Sequence, residues 1–200
     1  MTAPTRRRPR RDQQRAATRQ RIYEAALTAF RRDGVDRADV DEIARKAGVA
    51  RATFYNHFPT KDHVLAAWVQ ITEARVITEA VKLEATGLGD VLHRVAELLA
   101  EEWERAPELL PGVALVIVRA GCSTSGARGI PGAWALVGHF RAAGERGEVD
   151  GRLAPHALSA LFLANLLAVA VAVQGYTPRG ELRGSLAAAV RVFLDGVRAR

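Results

Sequence analysis

Two hundred residues with 48% hydrophobic content can fill one large or two small cores, which excludes a fibrous or mainly disordered chain. The formal net charge of +7 is unevenly placed: 15 of the 29 Lys and Arg but only 8 of the 22 Asp and Glu lie within residues 1–62, so the remainder is neutral. A basic module on a neutral body suits nucleic acid, although acidic substrates or anionic membranes could use the same charge.

Residues 1–15 set Arg6, Arg7, Arg8, Arg10, Arg11 and Arg15 among Pro and polar residues, too little apolar surface to fold alone. They are expected to form a disordered arm that either reaches along DNA or is simply solvated. Helical periodicity then begins, and a first helix is expected over about Thr18–Asp33, burying Ile22, Ala26 and Phe30 and stopped by Gly34. The positive charges are followed by this amphipathic helix, where a signal peptide would need an apolar stretch, and the single Cys122 offers no intramolecular disulfide, so the chain is expected in the cytoplasm.

Asp39 can cap a short helix, with Glu42 three residues on completing a capping box, and Val40, Ile43, Ala44 and Ala47 share its inner face. Gly48 can take the left-handed conformation that ends it. A second short helix, about Arg51–His57, buries Phe54 and Phe58, which stand four apart. Its outer face would carry Arg51, Ala52, Thr53 and Asn56, residue types that pair with guanine, with a thymine methyl and with adenine in the major groove. Tyr55 and His57 belong to the same surface, and Thr60 with Lys61 opens the next helix where phosphate could be held.

The pattern Ile22, Ala26, Phe30, Gly34, Val40, Ile43-Ala44, Ala47-Gly48-Val49, Thr53-Phe54-Tyr55, His57-Phe58, Lys61 resembles the N-terminal domain of the tetracycline-repressor (TetR) family of bacterial transcription regulators. Asp39 stands where that family usually has Thr, and Ala50 with Ala52 where it usually has Ser and a small residue such as Gly. The resemblance implies an all-α protein of about nine helices. Helices one to three would bind DNA over residues 16–62, and the rest, residues 63–200, would bind a small effector and a second copy of the chain.

Further along, a long helix is expected over about Thr60–Ala85, with Val64, Trp68, Ile71 and Arg75 on one side. Others follow at about Val91–Arg105, Leu109–Ala120, Trp134–Ala143, Pro155–Val173 and Arg179–Arg198, with a Gly, Ser and Pro-rich loop over Gly121–Gly132. Ala157–Val173 contains only Ser159 and Asn165 as polar residues, so it needs burial nearly all round. As a membrane span it would be short and would carry Asn165 near its middle, so no membrane partner is expected. Pairing of the last two helices with their copies in a homodimer meets the same need, and two-fold symmetry suits an inverted-repeat operator in double-stranded DNA.

Aromatic and polar residues on otherwise apolar helices make Trp68, His93, Trp103, Arg119, Trp134, His139, Phe140 and Asn165 the candidate pocket lining, for a hydrophobic or aromatic effector. Each Trp could equally be core, and Asn165 could be satisfied across a dimer. Enzyme signals are poor. Gly121-Cys-Ser-Thr-Ser-Gly126 has Ala127 where a phosphate loop needs Lys, Cys122 has no defined partner beyond His93 or His139, and the five His form no metal-ligand spacing. No catalytic residue, metal or cofactor is therefore expected. The reading is a TetR-like regulator, a repressor released by its effector. The alternatives are a basic protein that binds DNA without sequence preference, an enzyme using the pocket, and Cys122 as a redox sensor.

Overall fold

The structure, a computed structural model, describes residues 8–80, 82, 87–121, 133–176 and 181–199. Cys122 and the expected Gly-rich loop from residue 122 onward lie outside the described residues. Among those described, the chain is all-α, with nine helices, one 3-10 turn and no strand beyond an isolated bridge between Val149 and Arg198. It forms two compact units, Met1–Leu65 and Ala66–Arg200.

In the first unit, α1 (Arg8–Asp33) packs on α2 (Val40–Lys46), which packs on α3 (Arg51–His57). Helix α1 starts at Arg8 and not near Thr18, so the second half of the expected disordered arm is helical. Pro9 falls in its first turn, where a missing N–H costs no helical bond, and Gln13, Gln14, Ala16 and Ala17 are good helix formers. Gly34, at φ 79°, donates its N–H to the Phe30 carbonyl (2.9 Å) and ends the helix. Ile22, Ala26 and Phe30 meet Ile43, Ala44, Phe54 and Phe58, all essentially inaccessible to water. Each large apolar side chain buried in this way contributes about 1.5–3 kcal/mol.

The link between α2 and α3 is a helix-ending motif closed by the backbone. Gly48, at φ 66°, donates to the Arg45 carbonyl (3.2 Å), and Val49 donates to that of Ala44 (3.0 Å). Asp39 caps α2 by accepting from Asp41 N–H (3.0 Å). The expected capping box is only half formed, because Glu42 turns to Arg32 (2.7 and 2.9 Å) and Lys46 (3.1 Å) and so ties α2 to α1. That pairing holds the Glu42 carboxyl down at about 2, first through the Arg32 hydrogen bonds and then through Lys46.

Helix α4 (Lys61–Ala80) opens within the first unit and continues into the second. There follow α5 (Leu88–Arg105), the turn Pro107–Leu109, α6 (Leu110–Gly121), α7 (Ala133–Glu145), α8 (Pro155–Tyr176) and α9 (Leu182–Val197). Helix α8 packs against α6, α7 and α9, and α5 packs against α9. Phe193 of α9 joins the stack by an edge contact to Phe140 of α7 (6.1 Å) and a tilted contact to Phe162 of α8 (5.3 Å). Arg183 of α9 pairs with Glu104 of α5 at 3.0 Å.

Two sequence expectations change here. The inner face of α4 is Val64, Leu65, Trp68, Val69, Thr72, Glu73, Val76, Ile77 and Ala80, whereas Ile71 and Arg75 of the expected face are exposed. Helix α8 is buried on one face only, through Leu158, Phe162, Leu163, Leu166 and Ala170. Its other face exposes Ala157, Leu161, Ala164, Asn165, Ala168 and Ala172.

The left-handed turn at Gly48 has room for a methyl group, since a Cβ there would come no nearer than 3.9 Å to Arg21. Gly48→Ala should therefore act through backbone strain alone and destabilise the first unit by about 1–2 kcal/mol. A urea unfolding curve followed by far-UV dichroism checks this, and an unchanged midpoint would refute the strain argument.

Candidate DNA interface and effector cavity

Helix α3 is too short to be stable alone, and its position is imposed by its buried side. Phe54 and Phe58 fix its rotation from below, with ring centroids 6.3 Å apart. From α1, the Arg19 guanidinium lies 3.9 Å above the Phe58 ring and donates to the carbonyl of His57. Arg19 was not a sequence candidate, because a cation that holds a helix end looks in sequence like any other exposed Arg.

With the rotation fixed, Arg51, Ala52, Tyr55 and Asn56 are exposed, and Thr53 and His57 half-buried. Ala50 stands at the N-cap without a side-chain hydrogen bond, leaving backbone N–H groups at the α3 start unsatisfied by any cap. Arg51 pairs with Asp41 of α2, reaches the Tyr55 hydroxyl at 3.5 Å and lies 5.7 Å from its ring centroid, so part of its donor fork is already engaged. Burial, then the nearby cations Arg15 and Arg19, push the His57 imidazole below its usual value, so at neutral pH it is uncharged.

Thr60 hydrogen-bonds His63 at 2.8 Å across the first turn of α4. Lys61 is half-buried and donates to the carbonyls of Asp36 (2.8 Å) and Ala38 (3.2 Å). Two of its three N–H groups therefore hold the α1–α2 loop, and one remains for a phosphate.

The second unit contains an apolar cavity of about 20 Å³, room for one water. Helix α4 supplies Trp68, Val69, Thr72 and Glu73, and α5 supplies Leu99 and Trp103. Val113 and Ile117 of α6 and Leu163 and Leu167 of α8 close it. Of the eight expected lining residues, only Trp68 and Trp103 are here. Trp134 is 63% exposed, Asn165 and Arg119 face outward, and His93 is half-buried elsewhere on α5. Phe140 belongs to the aromatic stack with Phe193. His139 is half-buried off the cavity, with its Nδ1 enclosed and unpartnered.

The residue sequence reasoning missed is Glu73. It is 8% exposed, and its Oε2 is fully enclosed with no hydrogen-bond partner. Burial pushes its carboxyl up to about 8, so at neutral pH it is mostly protonated. The available signal was its spacing: Trp68, Val69, Thr72, Glu73, Val76 and Ile77 make one helical stripe, and a carboxyl inside it has to be explained.

The first unit has the geometry of a helix-turn-helix protein, with a short helix set polar face outward on a closed core, and the second unit is all-α. The family model for bacterial regulatory proteins of the tetR family matches residues 22–68. The chain is 56% identical over 50 residues to the HTH-type transcriptional regulator SrpR of Pseudomonas putida, covering 25% of this chain and 24% of that protein. It is 32% identical over 87 residues to AcrR of Shigella flexneri, covering 44% and 40%. These matches thus span well under half the length of the curated relatives. Among solved structures, Thermus thermophilus FadR, a TetR-family repressor in complex with lauroyl-CoA, superposes with a TM-score of 0.72 at 26% identity, covering 91% of this chain and 96% of that one. Residues 22–68 thus match the DNA-binding domain of the tetR family, and over 91% of its length the chain shares the fold of a TetR-family repressor.

The raised Glu73 value fixes a sign for stability. Between about pH 4.5 and 8 the folded protein holds a proton that the unfolded chain has released, so stability falls as pH rises through that window and levels off above it. At about 1.4 kcal/mol per pKa unit the loss is on the order of a few kcal/mol. Glu73→Gln should melt close to the wild type at pH 5 and roughly 5–10 °C above it at pH 8.5. Equal differences at both pH values would show that Glu73 is not the titrating group.

Proposed function

We propose that this protein regulates transcription as a homodimer, the first unit binding an inverted-repeat operator and the second binding a small effector that releases it, so that it acts as a repressor in the cytoplasm. The observation that carries the reading is the exposed face of α3, held at a fixed rotation by Phe54, Phe58 and Arg19 in the first third of the chain, which carries the whole charge surplus. Arg51 and Asn56 would read bases, with Ala52 and Thr53 against thymine methyls. Tyr55, His57, Thr60 and the remaining donor of Lys61 would set register on phosphates.

The dimer is supported by the surface of α8 and α9. Leu161 is 61% and Val192 73% exposed, and small residues Ala157, Ala164, Ala168 and Gly184 flank them and permit close approach. Asn165 lies on this face, where an amide can pair with its copy across a two-fold axis. Helix α8 is long and apolar enough to cross a membrane by composition, but a helix paired on one face with its own unit and on the other with a second copy has the same composition.

The cavity supports effector binding. At about 20 Å³ it must widen several-fold for any organic ligand, so an effector would favour a more open second unit over the compact one. Helix α4 carries both Lys61 of the first unit and Trp68, Thr72 and Glu73 of the cavity wall, which gives such a change a covalent route to the DNA-binding residues.

Selection of bound fragments from sheared genomic DNA at near-physiological salt should enrich a short inverted repeat, and Asn56→Ala should relax preference at one base pair in each half, costing about 1–3 kcal/mol. Binding that fades with salt without any enriched sequence would leave only a basic DNA-associating protein. Leu161→Glu should convert the sedimenting species from dimer to monomer and weaken operator binding at least tenfold. A dimer of unchanged stability in that variant would refute the α8 interface.

A further inference from the structure

We propose that the cavity of the second unit takes a lipophilic organic monocation, whose apolar groups lie between Trp68 and Trp103 and whose positive charge pairs with the Glu73 carboxylate. The inference rests on the effector reading above and specifies the chemistry of the same site.

Glu73 presents a fully enclosed oxygen with no partner, and no Lys, Arg or His lines the cavity to supply one. A buried carboxyl without a partner is costly, so whatever enters and satisfies it recovers that cost. An anionic ligand would find an acid and no donor of positive charge. A neutral apolar ligand would fill the space and leave the oxygen as it is. A cation meets the carboxylate and, in the same small volume, two indoles, whose electron-rich faces attract desolvated positive charge more strongly than those of any other aromatic side chain.

Proton balance follows directly. The carboxyl is mostly protonated at pH 7, so a permanent cation binds as its O–H proton leaves to solvent, and the ion pair that remains is neutral overall. The residues facing Glu73 from α5, α6 and α8 are Leu99, Trp103, Val113, Ile117 and Leu163 with Leu167, none of which titrates. The charged groups on the adjoining helices are engaged with one another or exposed: Arg75 with Glu102, Arg105 with Glu101, and Arg119 outward near the end of α6. Burial alone accounts for the raised value of Glu73, so no second group should distort the pH profile.

The test titrates the full chain with benzyltrimethylammonium, whose charge is fixed, and with neopentylbenzene, its uncharged isostere, reading indole fluorescence and heat between pH 6 and 9. Affinity for the cation should tighten about tenfold per unit from pH 6 to 8 and be level by pH 9, because one proton is released below the carboxyl value and none above it. At pH 8.5 the cation should bind at least tenfold tighter than the isostere. Glu73→Gln should lose both the pH dependence and the preference while still taking neopentylbenzene. Cation binding that ignores pH, or that is unchanged in Glu73→Gln, overturns the cation assignment, and neopentylbenzene bound in that case leaves the effector cavity standing. Failure of both probes to bind at any pH overturns the cavity reading together with it.

Discussion

The burial of Phe54 and Phe58 beneath α3 is the constraint on which the first unit depends. A helix of seven residues has no stability of its own, so everything it presents outward is decided by what it buries. Two aromatic rings four residues apart define one face, and the opposite face, with Arg51, Ala52, Tyr55 and Asn56, is then obliged to point into solvent. The remaining devices act on the same outcome. The Gly48 turn sets the angle between α2 and α3, Arg32 holds α2 to α1 through Glu42, and Arg19 fastens the far end of α3. Several of these contacts are charged and exposed, where single pairs contribute little, but Arg32 is bidentate and Arg19 adds an aromatic face to its hydrogen bond.

The second unit follows a different logic, in which polar groups are few and conspicuous. Its helices bury Leu, Val, Ala and Phe almost throughout, and α8 does so on one side while leaving an equally apolar side in water. Such a face on a monomer is a liability unless something covers it. Among the described residues the buried polar side chains are Thr72, Ser159 and Glu73, and of these Glu73 alone can carry a charge. A Gln or Leu at that position would fold with less conflict, so the carboxyl is best understood as a cost to stability that a ligand can remove.

Much of this was legible in sequence because local rules and global fold agree. Gly34 and Gly48 mark helix ends and take the left-handed conformation there, Asp39 caps, and the Phe54 and Phe58 spacing reads as a buried face. What sequence could not show has physical reasons. Ile71 and Trp68 are three apart, as are Trp68 and Leu65, and periodicity alone does not say on which side of Trp68 the core lies. Trp134 is a pocket candidate as an aromatic residue on an apolar helix, yet nothing local distinguishes a buried indole from one left 63% exposed. The Asp41 pairing of Arg51 joins two helices across the turn, and ten residues of separation hide it. Two of the polar pocket candidates, Asn165 and Arg119, also fell outward, because a polar residue on an apolar helix is more cheaply placed in solvent than inside.

A regulator of this kind needs two states whose free energies are close, and a ligand with different affinities for them. The compact state is set by tight packing around a cavity with room for one water, so packing favours it. The buried carboxyl of Glu73 opposes it, by an amount that grows as pH rises toward 8. Under the proposed cation reading, the same residue would narrow the gap between the states before any ligand arrives and would supply differential affinity when one does. A switch between 1:99 and 99:1 requires about 5.5 kcal/mol of that difference. A buried charge pair joined to the burial of a few apolar groups is of that order, whereas an apolar contact alone would have to extend over a much larger ligand. Helix α4 is where these requirements meet, since it holds Glu73 in the cavity wall and, three turns earlier, the Lys61 ammonium against the loop that orients α2.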